Sequence, residues 1–140
     1  MYVDMNSYFA SCEQQDFPEL RGKPIGVCAG SHPTAAIIAP SIEAKRFGVK
    51  TGMRLNDARV ICPQIMPVNG RPYRYRQIHV DIMHVLQSYC AEAKARSIDE
   101  AVMDLTSYRW VYPDAKELAR KIKADIKAKH DFLTCSIGIA

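Results

Sequence analysis

What the sequence lacks narrows its reading first. No apolar run approaches the roughly 20 residues that a helix needs to cross a bilayer. The opening residues do not read as a secretory leader either, because Asp4, Asn6 and Ser7 interrupt any apolar core. There is no Cys-x-x-Cys pair. The five cysteines, Cys12, Cys28, Cys62, Cys90 and Cys135, are scattered, and an odd number cannot all pair internally. Reduced intracellular thiols are expected, with no zinc site among them. The four histidines, His32, His79, His84 and His130, are equally dispersed. His79 and His84 are poorly spaced to share a metal on a helix, so surface or half-buried roles are expected for them. No repeat and no low-complexity tract is present.

The 140 residues that are there, 48% hydrophobic and 24% charged, have an ordinary globular balance, enough for one domain or one domain with a small appendage. The net charge of +4 leans toward a polyanionic partner and by itself decides nothing. The stretch that stands out is Ser97-Ile98-Asp99-Glu100-Ala101, two adjacent carboxylates between apolar residues. Alternating character on either side predicts two strands, Ala93 to Arg96 and Ala101 to Leu105, joined at the acidic pair. At a bend both carboxylates can converge, and their repulsion is settled by a shared proton or a bound cation. The bland reading is an exposed acidic turn. Asp4, at the end of the opening apolar run Met1-Tyr2-Val3, adds a third carboxylate at a strand end, where sites are commonly built.

In chain order, a helix is expected from Ser7 to Gln15, ended by Phe17-Pro18, then a turn at Arg21-Gly22-Lys23-Pro24. Short strands follow at Ile25 to Cys28 and Ala35 to Ala39, separated by a turn at Gly30-Ser31-His32-Pro33. Pro40-Ser41 opens a short helix, Ile42 to Phe47, closed by Gly48, and a second runs from Arg54 to Ile61. These small elements read as an insertion. After the turn Asn69-Gly70-Arg71-Pro72, Tyr75, Ile78, Ile82, Leu86 and Tyr89 repeat at helical spacing and predict a core-packing helix. Arg71, Arg74 and Arg76, interleaved with Tyr73 and Tyr75, are a weak nucleic-acid signal. Asp114 is expected to cap a helix from Ala115 to about Lys129, with Leu118, Ile122 and Ile126 inward and its basic residues on a solvated face. Leu133 to Ala140 reads as a last strand.

Without the insertion the order is strand, helix, strand, strand, helix, strand. That predicts an α+β fold, the split βαβ or ferredoxin-like sheet with helices on one face. On such a sheet Asp4 can meet Asp99 and Glu100. Three oxygen ligands without His or Cys suit a hard ion such as magnesium, and the reaction class most consistent with them is two-metal phosphoryl transfer.

Four motifs in sequence carry a family resemblance: Asp4-Met5-Asn6-Ser7-Tyr8-Phe9-Ala10-Ser11-Cys12-Glu13, Arg21-Gly22-Lys23-Pro24, Glu43-Ala44-Lys45-Arg46-Phe47-Gly48-Val49-Lys50-Thr51-Gly52, and Ser97 to Ala101. In that order they resemble the Y-family translesion DNA polymerases over nearly the whole chain. The resemblance implies a palm at residues 1–23 and 71–140, a small fingers insertion at 24–70, and a thumb and little finger outside this chain. It implies Asp4, Asp99 and Glu100 as catalytic metal ligands, joined by the main-chain carbonyl of Met5, with two Mg2+ ions in the full complex. It implies Phe9 as the steric gate beneath the sugar, its ring filling the space of a ribose 2′-hydroxyl, with Tyr8 lining the nucleotide pocket and Lys45 reaching the triphosphate. For Phe9 the bland reading is a buried core aromatic.

The sequence departs from the family where Ile42 replaces a common Tyr, Lys45 a common Arg, and Ala39 what is often a hydroxyl residue. Lys45 keeps a charge without the planar fork, and Ile42 cannot donate a hydrogen bond. The implied activity is template-directed DNA synthesis across damage, using dNTP and primer-template DNA, in the cytoplasm or nucleoid of a prokaryote or the nucleus of a eukaryote. A sliding clamp would engage regions outside this chain, and the isolated chain is expected not to extend a primer. A non-catalytic polymerase-like module that binds DNA or partner proteins is the alternative. A nucleotidyl cyclase on the same topology is not supported, because its Gly-Gly-Asp/Glu-Glu/Asp-Phe hairpin is missing.

Overall fold

A computed structural model describes residues 1–30 and 32–140; Ser31, within the expected Gly30 to Pro33 turn, lies outside the described residues. The chain contains strands β1 (Tyr2–Met5), β2 (Ile25–Cys28), β3 (Ile37–Pro40), β4 (Met66–Asn69), β5 (Lys94–Ala95), β6 (Glu100–Val102) and β7 (Cys135–Gly138). Its helices are α1 (Tyr8–Asp16), α2 (Ile42–Arg46), α3 (Leu55–Ile61), α4 (Pro72–Tyr89) and α5 (Ala115–Lys129). Two compact units result, Met1–Asn6 with Tyr73–Ala140, and Ser7–Pro72. In this division residues 7–23 group with the segment that follows them.

In the first unit the sheet order is β5-β6-β1-β7, every pairing antiparallel. Numbered within the unit this is second, third, first, fourth, the order of a split βαβ sheet. Alternation along the strands sends Val3, Met5, Ala101, Met103 and Cys135 to one face, where all are buried. Packed against them, α4 buries Tyr75, Ile78, Ile82 and Leu86 of the expected face, with Met83 and Val85 added, while Tyr89 of that face is half-buried. On α5 the buried stripe is Leu118, Ile122 and Ile126, as the periodicity requires, and the Asp114 carboxylate caps it by accepting from the amides of Lys116 (2.9 Å) and Glu117 (3.2 Å). The two helices run antiparallel, tied by His130 Nε2 to Asp81 (2.9 Å) and by a Tyr89 hydroxyl that donates to Asp125.

The second unit holds the three-stranded sheet β3-β2-β4, with β2 antiparallel to β3 and parallel to β4. Strand β4 is not expected from the sequence, because Pro67 within Met66–Asn69 removes a ladder donor; at a sheet edge that loss is tolerated. The Ser41 hydroxyl caps α2 by accepting from Ala44 N (3.2 Å), and Gly48 ends that helix at φ +94°, the left-handed turn predicted for it. The core is Cys28, Ile37, Ala44, Val49, Leu55, Ala58, Cys62 and Ile65. Glu13, only 1% exposed, receives the Arg71 guanidinium at 2.9 and 3.0 Å, and Arg71 also reaches Asp16 at 2.8 Å.

Candidate active-site residues

The register of the first sheet sets the acidic residues. Asp4 stands directly opposite Glu100, as Val3 does opposite Ala101, and Ser136 is the partner of Asp4 on the other side. Directly opposed residues share a face with Cβ atoms about 4.5–5.5 Å apart, so the two carboxylates lie side by side on the face away from the buried Val3 and Ala101. Tyr2, two residues before Asp4, shares this face. Its hydroxyl donates to Glu100, and that bond holds the phenol above its usual range, with the Glu100 and Asp4 charges adding to the effect.

Glu100 is not in the bend, as the alternating pattern predicts, but is the first residue of β6. The ladder reaches one residue further because its main chain is fully used. The Glu100 carbonyl accepts from Arg96 N (2.8 Å) and Ser97 N (3.3 Å), and the Asp99 carbonyl accepts from Met5 N (2.8 Å). The observed strands are Lys94–Ala95 and Glu100–Val102, against the expected Ala93 to Arg96 and Ala101 to Leu105, with the bend beginning at Arg96. Asp99 alone remains at the tip, its carboxylate receiving the Ser97 hydroxyl at 2.8 Å. Among the described residues no three His, Cys, Asp or Glu side chains gather closely enough to hold a metal ion by themselves. Asp4 and Glu100 are brought together, then, and Asp99 is beside them in the chain with its side chain engaged by Ser97.

That donor set fits magnesium rather than a closed protein cage. Magnesium keeps several waters and is held by one or two carboxylates plus substrate phosphates, and the residues here offer oxygen only. Asp4, Glu100 and Asp99, with the Met5 carbonyl, are the groups that would hold it.

The second unit carries the remaining expected residues. Ser7, at the head of α1, has φ 43° and ψ 56°, the one positive-φ residue besides glycine among those described. Its hydroxyl accepts from Lys45 Nζ at 2.8 Å. Phe9 is half-buried, whereas Tyr8 is 4% exposed and packs beside it at 5.7 Å between ring centroids. Ile42 is 41% exposed on α2, an apolar side chain facing solvent without a core role. Sequence reasoning missed three participants: Tyr2, Ser97 and His79, whose Nδ1 lies 2.8 Å from the Ile98 carbonyl. Ser97 was findable as a hydroxyl beside an acidic bend. His79 has no local signal, since its partner is remote in sequence.

A family model described as the impB/mucB/samB family matches residues 3–140. The chain belongs to this family. Over all 140 residues it is 36% identical to the DNA polymerase IV of Shewanella baltica (strain OS195) and 38% identical to that of Shewanella pealeana, covering 39% of each relative. Among solved structures it resembles the Y-family DNA polymerase chimera Dbh-Dpo4(243-245)-Dbh, with TM-score 0.91 and 33% identity over 98% of this chain and 41% of that one. The insertion ternary complex of Dbh DNA polymerase is similar at TM-score 0.91 and 34% identity, over 99% of this chain and 41% of that one. The chain thus spans about two fifths of these proteins and has the α+β fold of the Y-family palm and fingers region.

Proposed function

We propose that this chain is the palm and fingers portion of a translesion DNA polymerase that adds dNTP to a primer 3′-hydroxyl. The observation that carries this is the cross-strand pair Asp4 and Glu100, with Asp99 next to it at the bend, in a family whose relatives are named DNA polymerase IV. Asp4, Glu100 and Asp99, with the Met5 carbonyl, hold Mg2+. Bound divalent ions make the primer hydroxyl a better nucleophile and balance the charge of the triphosphate. Phe9 excludes the ribose 2′-hydroxyl. Lys45 leaves Ser7 for a phosphate oxygen, as a point charge where a guanidinium would have made a fork. Primer-template DNA is the partner, damaged DNA the occasion, and the compartment of the chromosome the place of action.

The test is primer extension by this chain beside a longer form of the protein, with and without Asp99→Ala. Template-dependent, Mg2+-dependent extension by the longer form, lost with Asp99→Ala, supports the reading. The 140-residue chain is expected to be inactive, because in-line attack depends on positioning the primer and the polymerase relatives are more than twice its length. No extension by the longer form, with DNA still bound, would establish the non-catalytic module instead.

A further inference from the structure

Three consecutive carbonyls shape the acidic bend, and each has a donor. Those of Asp99 and Glu100 are satisfied by main-chain amides, of Met5 at 2.8 Å and of Arg96 and Ser97 at 2.8 and 3.3 Å. Any sequence that pairs these strands supplies those bonds. The Ile98 carbonyl differs: its donor is a side chain, His79 Nδ1 on α4, at 2.8 Å. A carbonyl only accepts, so Nδ1 carries the hydrogen there. The peptide it holds, Ile98 to Asp99, is the one whose rotation swings the Asp99 Cα–Cβ bond. The bend also borders a small pocket of about 10 Å³ lined by His79, Ile82, Met83, Ile98 and Asp99 among others. A space of that size is at the threshold for one water.

From this we infer that His79 is a positioning residue, which sets the direction of the Asp99 carboxylate through the Ile98 peptide and so raises the affinity of the acidic site for a divalent cation. The inference rests on the metal-site reading above. Its chemistry is that of outer-shell partners generally, whose removal costs about 10- to 100-fold in metal affinity. Ser97 holds the same carboxylate directly, its hydroxyl donating at 2.8 Å. His79 therefore governs the backbone and Ser97 the rotamer.

The experiment measures Mn2+ binding to this chain by electron paramagnetic resonance, with amide exchange of Met5 in the metal-free state as a second readout. His79→Leu removes the donor at similar bulk, and His79→Asn returns an amide N–H near the place of Nδ1. Ile122→Val on α5 is the control for stability loss alone. His79→Leu is expected to weaken Mn2+ about 10-fold and to speed Met5 exchange. His79→Asn should restore both to about the wild-type level, and Ile122→Val should leave Mn2+ affinity unchanged. The inference is overturned if His79→Leu binds Mn2+ like wild type, if His79→Asn is as weak as His79→Leu, or if Ile122→Val weakens binding equally. Asp99→Ala separates the two layers. Loss with Asp99→Ala but not with His79→Leu removes only the role of His79, whereas wild-type binding that ignores Asp99→Ala, or no binding at all, removes the metal site and this inference together.

Discussion

Asp4 and Glu100 face each other across neighbouring antiparallel strands, two like charges in a position where like charges destabilise a sheet by a few tenths to about 1 kcal/mol. A like-charged pair of this kind carries a repulsive cost that a bound cation relieves. Asp4→Asn should therefore raise the thermal midpoint of the metal-free chain while removing its response to divalent ions. Wild type should gain about 1.4 kcal/mol at tenfold the dissociation constant. Thermal unfolding with and without Mg2+ measures both, and a wild-type midpoint that ignores Mg2+ at all concentrations would contradict the proposal.

Phe9 is half-buried and packs beside the buried Tyr8. In the longer protein Phe9→Ala should raise ribonucleotide incorporation and leave deoxynucleotide use largely intact, because only a clash is removed. Unchanged sugar discrimination in single-nucleotide insertion assays would end the gate role.

Lys45 and Arg46 are adjacent exposed cations on α2, but Lys45 is the one bonded to Ser7. Lys45→Ala should raise the apparent dNTP dissociation constant of the longer protein, by about 10-fold if one charge-assisted bond of about 1.5 kcal/mol is lost. Arg46→Ala should change it far less. Equal effects of the two would show that α2 supplies only diffuse charge.

Arg71 compensates Glu13, which is 1% exposed, and also lies over the Phe17 ring at 4.9 Å. Removing the half-exposed Arg71 leaves the buried Glu13 carboxylate without this donor, so Arg71→Ala should destabilise by about 1–3 kcal/mol. Adding Glu13→Gln should recover part of that loss. Urea denaturation of the two variants decides, and a double variant less stable than Arg71→Ala would mean that Glu13 has another compensating partner.

Burial, then the hydrogen bond to Asp125, push the Tyr89 phenol up to about 12. The folded chain thus keeps a proton that the unfolded chain gives up near pH 10. The stability this contributes is complete below pH 10 and is lost as pH rises toward 12. Tyr89→Phe should flatten that fall in a pH series of unfolding midpoints. An identical slope in wild type and variant would assign the alkaline loss to other groups.

Long-period patterns were legible in the residues because they recur within one element. The stripe Leu118, Ile122 and Ile126, the Asp114 cap and the Gly48 turn all stand where local chemistry puts them. The same holds for the motif order that marks the family, and with it the α+β class. Whatever depends on pairing between remote segments was decided only in three dimensions. Strand β4 exists because β2 offers Met66–Asn69 a parallel edge that outweighs the missing donor of Pro67. Glu100 left the bend for the strand because its carbonyl and that of Asp99 found main-chain donors on Arg96, Ser97 and Met5. His79 acquired a role when α4 laid its ring against Ile98. The sequence alone placed Asp4 at the close of an apolar run and Asp99 and Glu100 together at one acidic turn. Only register, which fixes which residue stands opposite which, made Asp4 and Glu100 neighbours and left Asp99 apart at the tip.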